Sequence, residues 1–142
     1  MRKYNFRSMI ATASLVLGLS AVGSAHADIF GGFLGAVASA TDVYGMTCPI
    51  GTVSVKANVN DAIAAGNQIC VQVIDPNGLA STACAVDGGP PSALATLAGG
   101  AGNYLVSVHK NTAAAEGYSV AMDCYNVAGA IAGTQSVLVQ NQ

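Results

Sequence analysis

Apolar and polar positions alternate along most of the chain beyond residue 42. The alternation is cleanest in Thr52-Val53-Ser54-Val55-Lys56 and in Tyr104-Leu105-Val106-Ser107-Val108-His109. A period of two marks a strand with one face buried. The pattern predicts eight short strands, at 42–48, 52–58, 68–75, 79–85, 92–97, 103–110, 117–125 and 134–140. Clusters of turn formers separate them, notably Gly88-Gly89-Pro90-Pro91 and Gly99-Gly100-Ala101-Gly102-Asn103. Such spacing predicts an all-β domain, a sandwich or a barrel. One helical turn is expected at 113–116, with Asn111 or Thr112 as its N-cap.

Residues 28–41 carry a different pattern. Ile29, Phe30, Phe33, Leu34 and Val37 fall at spacings of one and three, which is one face of a helix. Gly31, Gly32 and Gly35 weaken that helix by roughly 1 kcal/mol each. The segment is expected to be an apolar N-terminal arm that packs on the domain or frays, or that docks on another subunit. Phe30, Phe33, Leu34 and Val37 would be its contact residues.

Ahead of the arm, Arg2, Lys3 and Arg7 precede an apolar run from Met9 to Val22, and Ala25-His26-Ala27 follows. This is the layout of a secretory signal peptide cleaved before Asp28. The apolar run is about 14 residues, where a membrane span needs roughly 20. The expected organisation is a signal peptide at 1–27, the arm at 28–41 and a β-sandwich domain at 42–142, with no membrane span after cleavage.

Cleavage changes the charge. The whole chain of 142 residues carries 5 basic and 7 acidic side chains. Only Lys56 and Lys110 of the basic residues lie beyond residue 27, whereas every acid does. Two cations cannot neutralise a phosphate backbone, so a nucleic-acid partner is excluded. The four cysteines, Cys48, Cys70, Cys84 and Cys124, also lie beyond the cleavage point. An even count in an exported chain predicts two disulfides. The Asp75-Pro76-Asn77-Gly78 turn, closed as a type I turn with Gly78 left-handed, sets Cys70 opposite Cys84. Cys48 then pairs with Cys124, at the ends of two similar strands. That bridge would contribute about 4–5 kcal/mol in a chain-entropy account.

Several of these segments resemble a known family. Asp42 and Tyr44, Gly51-Thr52-Val53-Ser54-Val55 and Val71-Gln72-Val73-Ile74-Asp75-Pro76-Asn77-Gly78 are followed by Leu94, Leu97 and Gly102-Asn103-Tyr104-Leu105-Val106-Ser107-Val108. Gly117-Tyr118-Ser119-Val120 then forms a looser closing match. Residues 42–121 resemble the bacterial pre-peptidase C-terminal (PPC) domain, a jelly-roll sandwich of exported proteins. The resemblance implies a jelly-roll-like fold and an accessory, non-catalytic role beside another module. The four cysteines and the strand at 134–140 are additions to that family's pattern, and the chain carries no protease module.

Candidate chemistry is sparse. His109 is the only imidazole beyond the signal, beside Lys110, and reads as a polar residue at a strand edge. No nucleophile–base motif accompanies it. Asp75, Asn77 and Asp87 are weak candidates for calcium, which takes six to eight oxygens, and are ordinary turn formers besides. Tyr104 and Tyr118 are expected to line the sandwich, and Tyr125 to lie nearer the surface. No enzyme activity, cofactor or metal is expected. The most unusual feature is the shortage of charge, 8% of residues against about 25% in an average domain. It leads to an exported structural subunit, periplasmic, at the cell surface or extracellular, that self-associates or joins another exported protein. Filaments built by exchange of terminal strands are one form of such assembly. The alternative is a monomeric binding module for a glycan, peptide or protein.

Overall fold

The computed structural model describes residues 27–64 and 66–142. The signal-peptide reading therefore falls almost wholly outside the described residues. The described chain is all-β, with nine strands: β1 (Asp28–Leu34), β2 (Thr41–Cys48), β3 (Thr52–Asp61), β4 (Ile69–Ile74), β5 (Ala80–Cys84), β6 (Ala95–Ala98), β7 (Gly102–Lys110), β8 (Glu116–Asn126) and β9 (Gln135–Gln140). They form two antiparallel sheets, one in the order β1-β8-β3-β6 and one in the order β5-β4-β7-β2-β9. The pairs β4–β5, β3–β6, β2–β7 and β1–β8 are nested one around the next. All four enclose the turn at 75–78. This is one long hairpin rolled into two layers, the topology of a jelly roll, with β9 added at the β2 edge.

The turn at the centre of the roll has the expected geometry. Gly78 has φ of +85°, which a residue with a side chain rarely adopts. Asp75 Oδ1 accepts from the amides of Asn77 and Leu79, both at 2.8 Å. The register that follows sets Cys70 against Cys84, and a disulfide joins them with Cα atoms 3.9 Å apart. Cys48 and Cys124 form the second bridge, with Cα atoms 5.6 Å apart. Their strands belong to different sheets, so this bridge staples the two layers across the core.

The core between the layers is aliphatic with tyrosine. Val55, Val59, Val71, Val73, Val106, Val108 and Val120 are wholly buried, with Met46, Met122 and Tyr44 among them. Alternate residues of β2, β3, β4, β7 and β8 supply most of it, as the period of two requires.

Three local expectations need correction. Residues 28–34 form strand β1, paired along its length with β8, rather than a helix. Phe30, Gly32 and Leu34 face inward while Ile29, Gly31 and Phe33 face outward. The glycines that weaken a helix permit this strand. The ring of Tyr118 lies over Gly32, where a Cβ would stand 2.3 Å from its phenol oxygen. β1 is thus a member of the four-stranded sheet, so residues 28–34 belong to the sandwich rather than to a separate arm. Residues 113–116 make no helical turn: a bend leads into β8, which starts at Glu116. The predicted strand at 92–97 is also shorter, as β6. Ser92 is engaged with the main chain of β3, donating its amide to Val59 O at 2.8 Å and accepting from Val59 N at 3.1 Å.

Candidate interaction surface

The sequence-predicted candidates scatter over the molecule. His109 lies on the outer face of β7, a central strand, between Thr41 of β2 and Cys70 of β4. It is the last residue but one of its strand, as the sequence places it. Burial holds its imidazole below the ordinary range, so it is neutral at neutral pH. Asp75 spends its carboxylate on its own turn, and Asp87 accepts from the Gly66 amide at 3.0 Å. Among the described residues no group of three or more His, Cys, Asp or Glu side chains is placed to hold a metal ion. Tyr104 and Tyr118 line the sandwich interior. Tyr125 is half-buried, with the Lys56 ammonium 4.3 Å above its ring centre.

The four arm residues divide between two environments. Leu34 is wholly buried, and Phe30 packs on the core with its ring 5.2 Å from that of Tyr44. Phe33 and Val37 are exposed, at 55% and 61%. The alternation of a strand, not the stripe of a helix, sorts them.

A second pattern was not legible in the sequence. Of the nine charged side chains from Asp28 onward, five are buried: Asp42, Asp61, Lys110, Glu116 and Asp123. Surface charge is left to Asp28, Lys56, Asp75 and Asp87. The outer face of the five-stranded sheet carries none. Its strands contain only two formally charged residues, Asp42 and Lys110, and both are buried.

Asp42 is held by partners. It accepts from the Tyr118 hydroxyl at 2.5 Å and from the Gln142 amide at 2.9 Å. The Tyr44 and Tyr118 hydroxyls are 2.7 Å apart. Burial, followed by the bonds to Asp42 and Tyr44, pushes the Tyr118 phenol far above its ordinary range. The Gly35 amide donates to Gln142 O at 3.1 Å. This network ties the end of β9 to β1, β2 and β8.

Apolar side chains fill part of the chargeless face. Ile74, Leu105, Gly45 and Val137 lie side by side across β4, β7, β2 and β9. Leu105 is 47% exposed, Val137 62% and Val139 63%. Gly45 lets the valines settle, since a Cβ there would be 3.2 Å from Val139 Cγ2. A shallow cleft of about 340 Å³ opens here, with Thr47, Asn103, Leu105, Gln135 and Val137 on its walls. A neighbouring cleft of about 330 Å³ lies by Pro49 and Thr134.

β9 is the edge of this face. It bonds to β2 on one side, and among the described residues no strand lies on the other. Its sequence, Gln-Ser-Val-Leu-Val-Gln, has neither charge nor proline. Natural edge strands are commonly blunted by lysine, proline or a bulge. The one irregularity is a register shift against β2 at Val43/Tyr44. The arrangement suits addition of a further strand, in which main-chain hydrogen bonds give affinity and side-chain pockets give selectivity.

No helix among the described residues is long and apolar enough to cross a membrane. The two disulfides fit an oxidising compartment. Comparison with family models and with curated proteins finds no match to this chain.

Proposed function

We propose that this protein is an exported, non-catalytic structural subunit, cleaved before Asp28, that self-associates outside the cytoplasm. The observation that carries this reading is β9, an uncharged and solvent-exposed edge strand bordering a chargeless sheet face. A soluble monomer normally blunts such an edge, because free N–H and C=O groups recruit another strand. An outward contact that does not close on itself builds an open filament. Phe33 and Val37 are the arm residues available to a partner; Phe30 and Leu34 become available only if β1 itself is exchanged.

Charge placed on the edge tests this directly. The paired substitution Val137→Lys and Val139→Lys is expected to abolish concentration-dependent association in sedimentation velocity. Both side chains are mainly exposed, so stability should stay within about 1 kcal/mol. Unchanged association in the lysine variant would rule out the β9 edge as the contact. The second reading, a monomeric binding module as the PPC resemblance implies, draws support from the two clefts beside β9.

A further inference from the structure

We propose that Lys110 and Asn67 become joined by an intramolecular amide bond, formed with Glu116 as the proton carrier. The three residues come from three parts of the roll: Asn67 ahead of β4, Lys110 at the end of β7 and Glu116 at the start of β8. Lys110 and Asn67 are each only 4% exposed, and Glu116 is wholly buried. Asn67 Nδ2 donates to Glu116 Oε1, while Glu116 Oε2 has no partner. The Lys110 ammonium donates to two main-chain carbonyls, Gly35 O and Ala114 O. Both carbonyls flank Glu116: Ala114 precedes it by two residues, and Gly35 follows Leu34, its partner in β1. The carboxamide thus bonds to the carboxyl group directly, and the amine is held by the main-chain carbonyls on either side of it.

The register supplies the reach. Lys110 pairs with Ile69 across β7 and β4, and Asn67 lies two residues ahead of Ile69. Lys110 and Asn67 are therefore diagonal neighbours on the inward side. Such neighbours are about 7–8 Å apart, with Cβ atoms somewhat closer, a span that an extended lysine linked to an asparagine Cγ covers. Holding both groups in a dry core makes a slow bimolecular reaction effectively unimolecular.

The chemistry needs no other reactant. Glu116 takes a proton from the ammonium, and the freed Nζ lone pair attacks Asn67 Cγ. The Nζ–Cγ bond forms, the Cγ–Nδ2 bond breaks, and Glu116 returns the proton to the departing nitrogen. A second proton follows the same route from Nζ, so the products are a neutral amide and an ammonium ion. Nothing is oxidised or reduced, and Glu116 ends as it began.

Mass spectrometry of the exported, disulfide-bonded chain decides the matter. Formation of the bond releases one ammonia, so the reduced chain should weigh about 17 Da less than its sequence. Denaturing trypsin should fail to cut after Lys110, and one branched peptide should contain both Asn67 and Lys110. Lys110→Arg and Asn67→Ala should each abolish the loss. Glu116→Gln should also abolish it while keeping the β-sheet circular dichroism of the folded chain. A wild-type chain of full mass that trypsin cuts after Lys110 would overturn the proposal. So would a loss of about 18 Da joining Lys110 to a carboxyl group, which would mark a different acceptor.

Discussion

Asp123 has the environment most sensitive to where the chain begins. It lies opposite Lys56 in the four-stranded sheet and accepts from the Asp28 main-chain nitrogen at 3.3 Å. Burial raises its carboxyl to about 6, with the Asp28 amide opposing the rise and the Asp28 carboxylate adding to it. A folded pKa above the unfolded one gives stability that is complete below about pH 4 and is lost as pH rises through about 6. In a chain that continues ahead of Asp28, Asp123→Asn is thus expected to stabilise at pH 7 by on the order of 2 kcal/mol, and to be neutral below about pH 4. Under the proposed cleavage, the Asp28 nitrogen becomes an ammonium facing the same carboxylate. The substitution is then expected to destabilise at pH 7. Urea titrations of both forms check this, and one common sign would contradict it. None of these contacts was legible from residue order. The sequence marks Asp123 as one more acid in a strand, and only the pairing with β1 brings Asp28 to it.

At the scale of elements, the two disulfides should contribute unequally. Cys48–Cys124 spans 76 positions and joins the two sheets, whereas Cys70–Cys84 spans 14 within one hairpin. Replacing the first pair by alanine is expected to cost about 4–5 kcal/mol and the second about 3 kcal/mol. Denaturant unfolding of the two double variants measures the difference, and equal losses would contradict the cross-layer staple. The hairpin was legible because its turn residues are specific: Asp75 to bind amides, Gly78 for positive φ. That register fixed the pairing of Cys70 with Cys84. The layering was not legible, because alternation tells which residues face inward but not which strand lies opposite. β1 was misread for a related reason. Phe30 and Leu34 share an inward face with Gly32, a glycine that hides the period of two and leaves the apolar residues at helical spacings. Removing β1 would also strip β8 of one of its two partners and Leu34 from the core, so its loss cannot be read as a test of assembly alone.

Across the whole molecule, the governing feature is where charge is placed. A chain with few charged residues buries five of them from Asp28 onward, and leaves one sheet face and its edge strand with none. The shortage of charge was legible in the composition; its concentration inside the sandwich was not, since Asp42, Asp61, Lys110, Glu116 and Asp123 stand at ordinary intervals along the strands. Such a surface gives little repulsion between copies, and in the proposed self-association the β9 edge is the direction in which they would join. The most direct test is the mass distribution of the native chain beginning at Asp28, by sedimentation velocity with negative-stain microscopy of the same sample. The account predicts oligomers or filaments that grow with concentration. A single species of one chain's mass, unchanged across the concentration range, would contradict it.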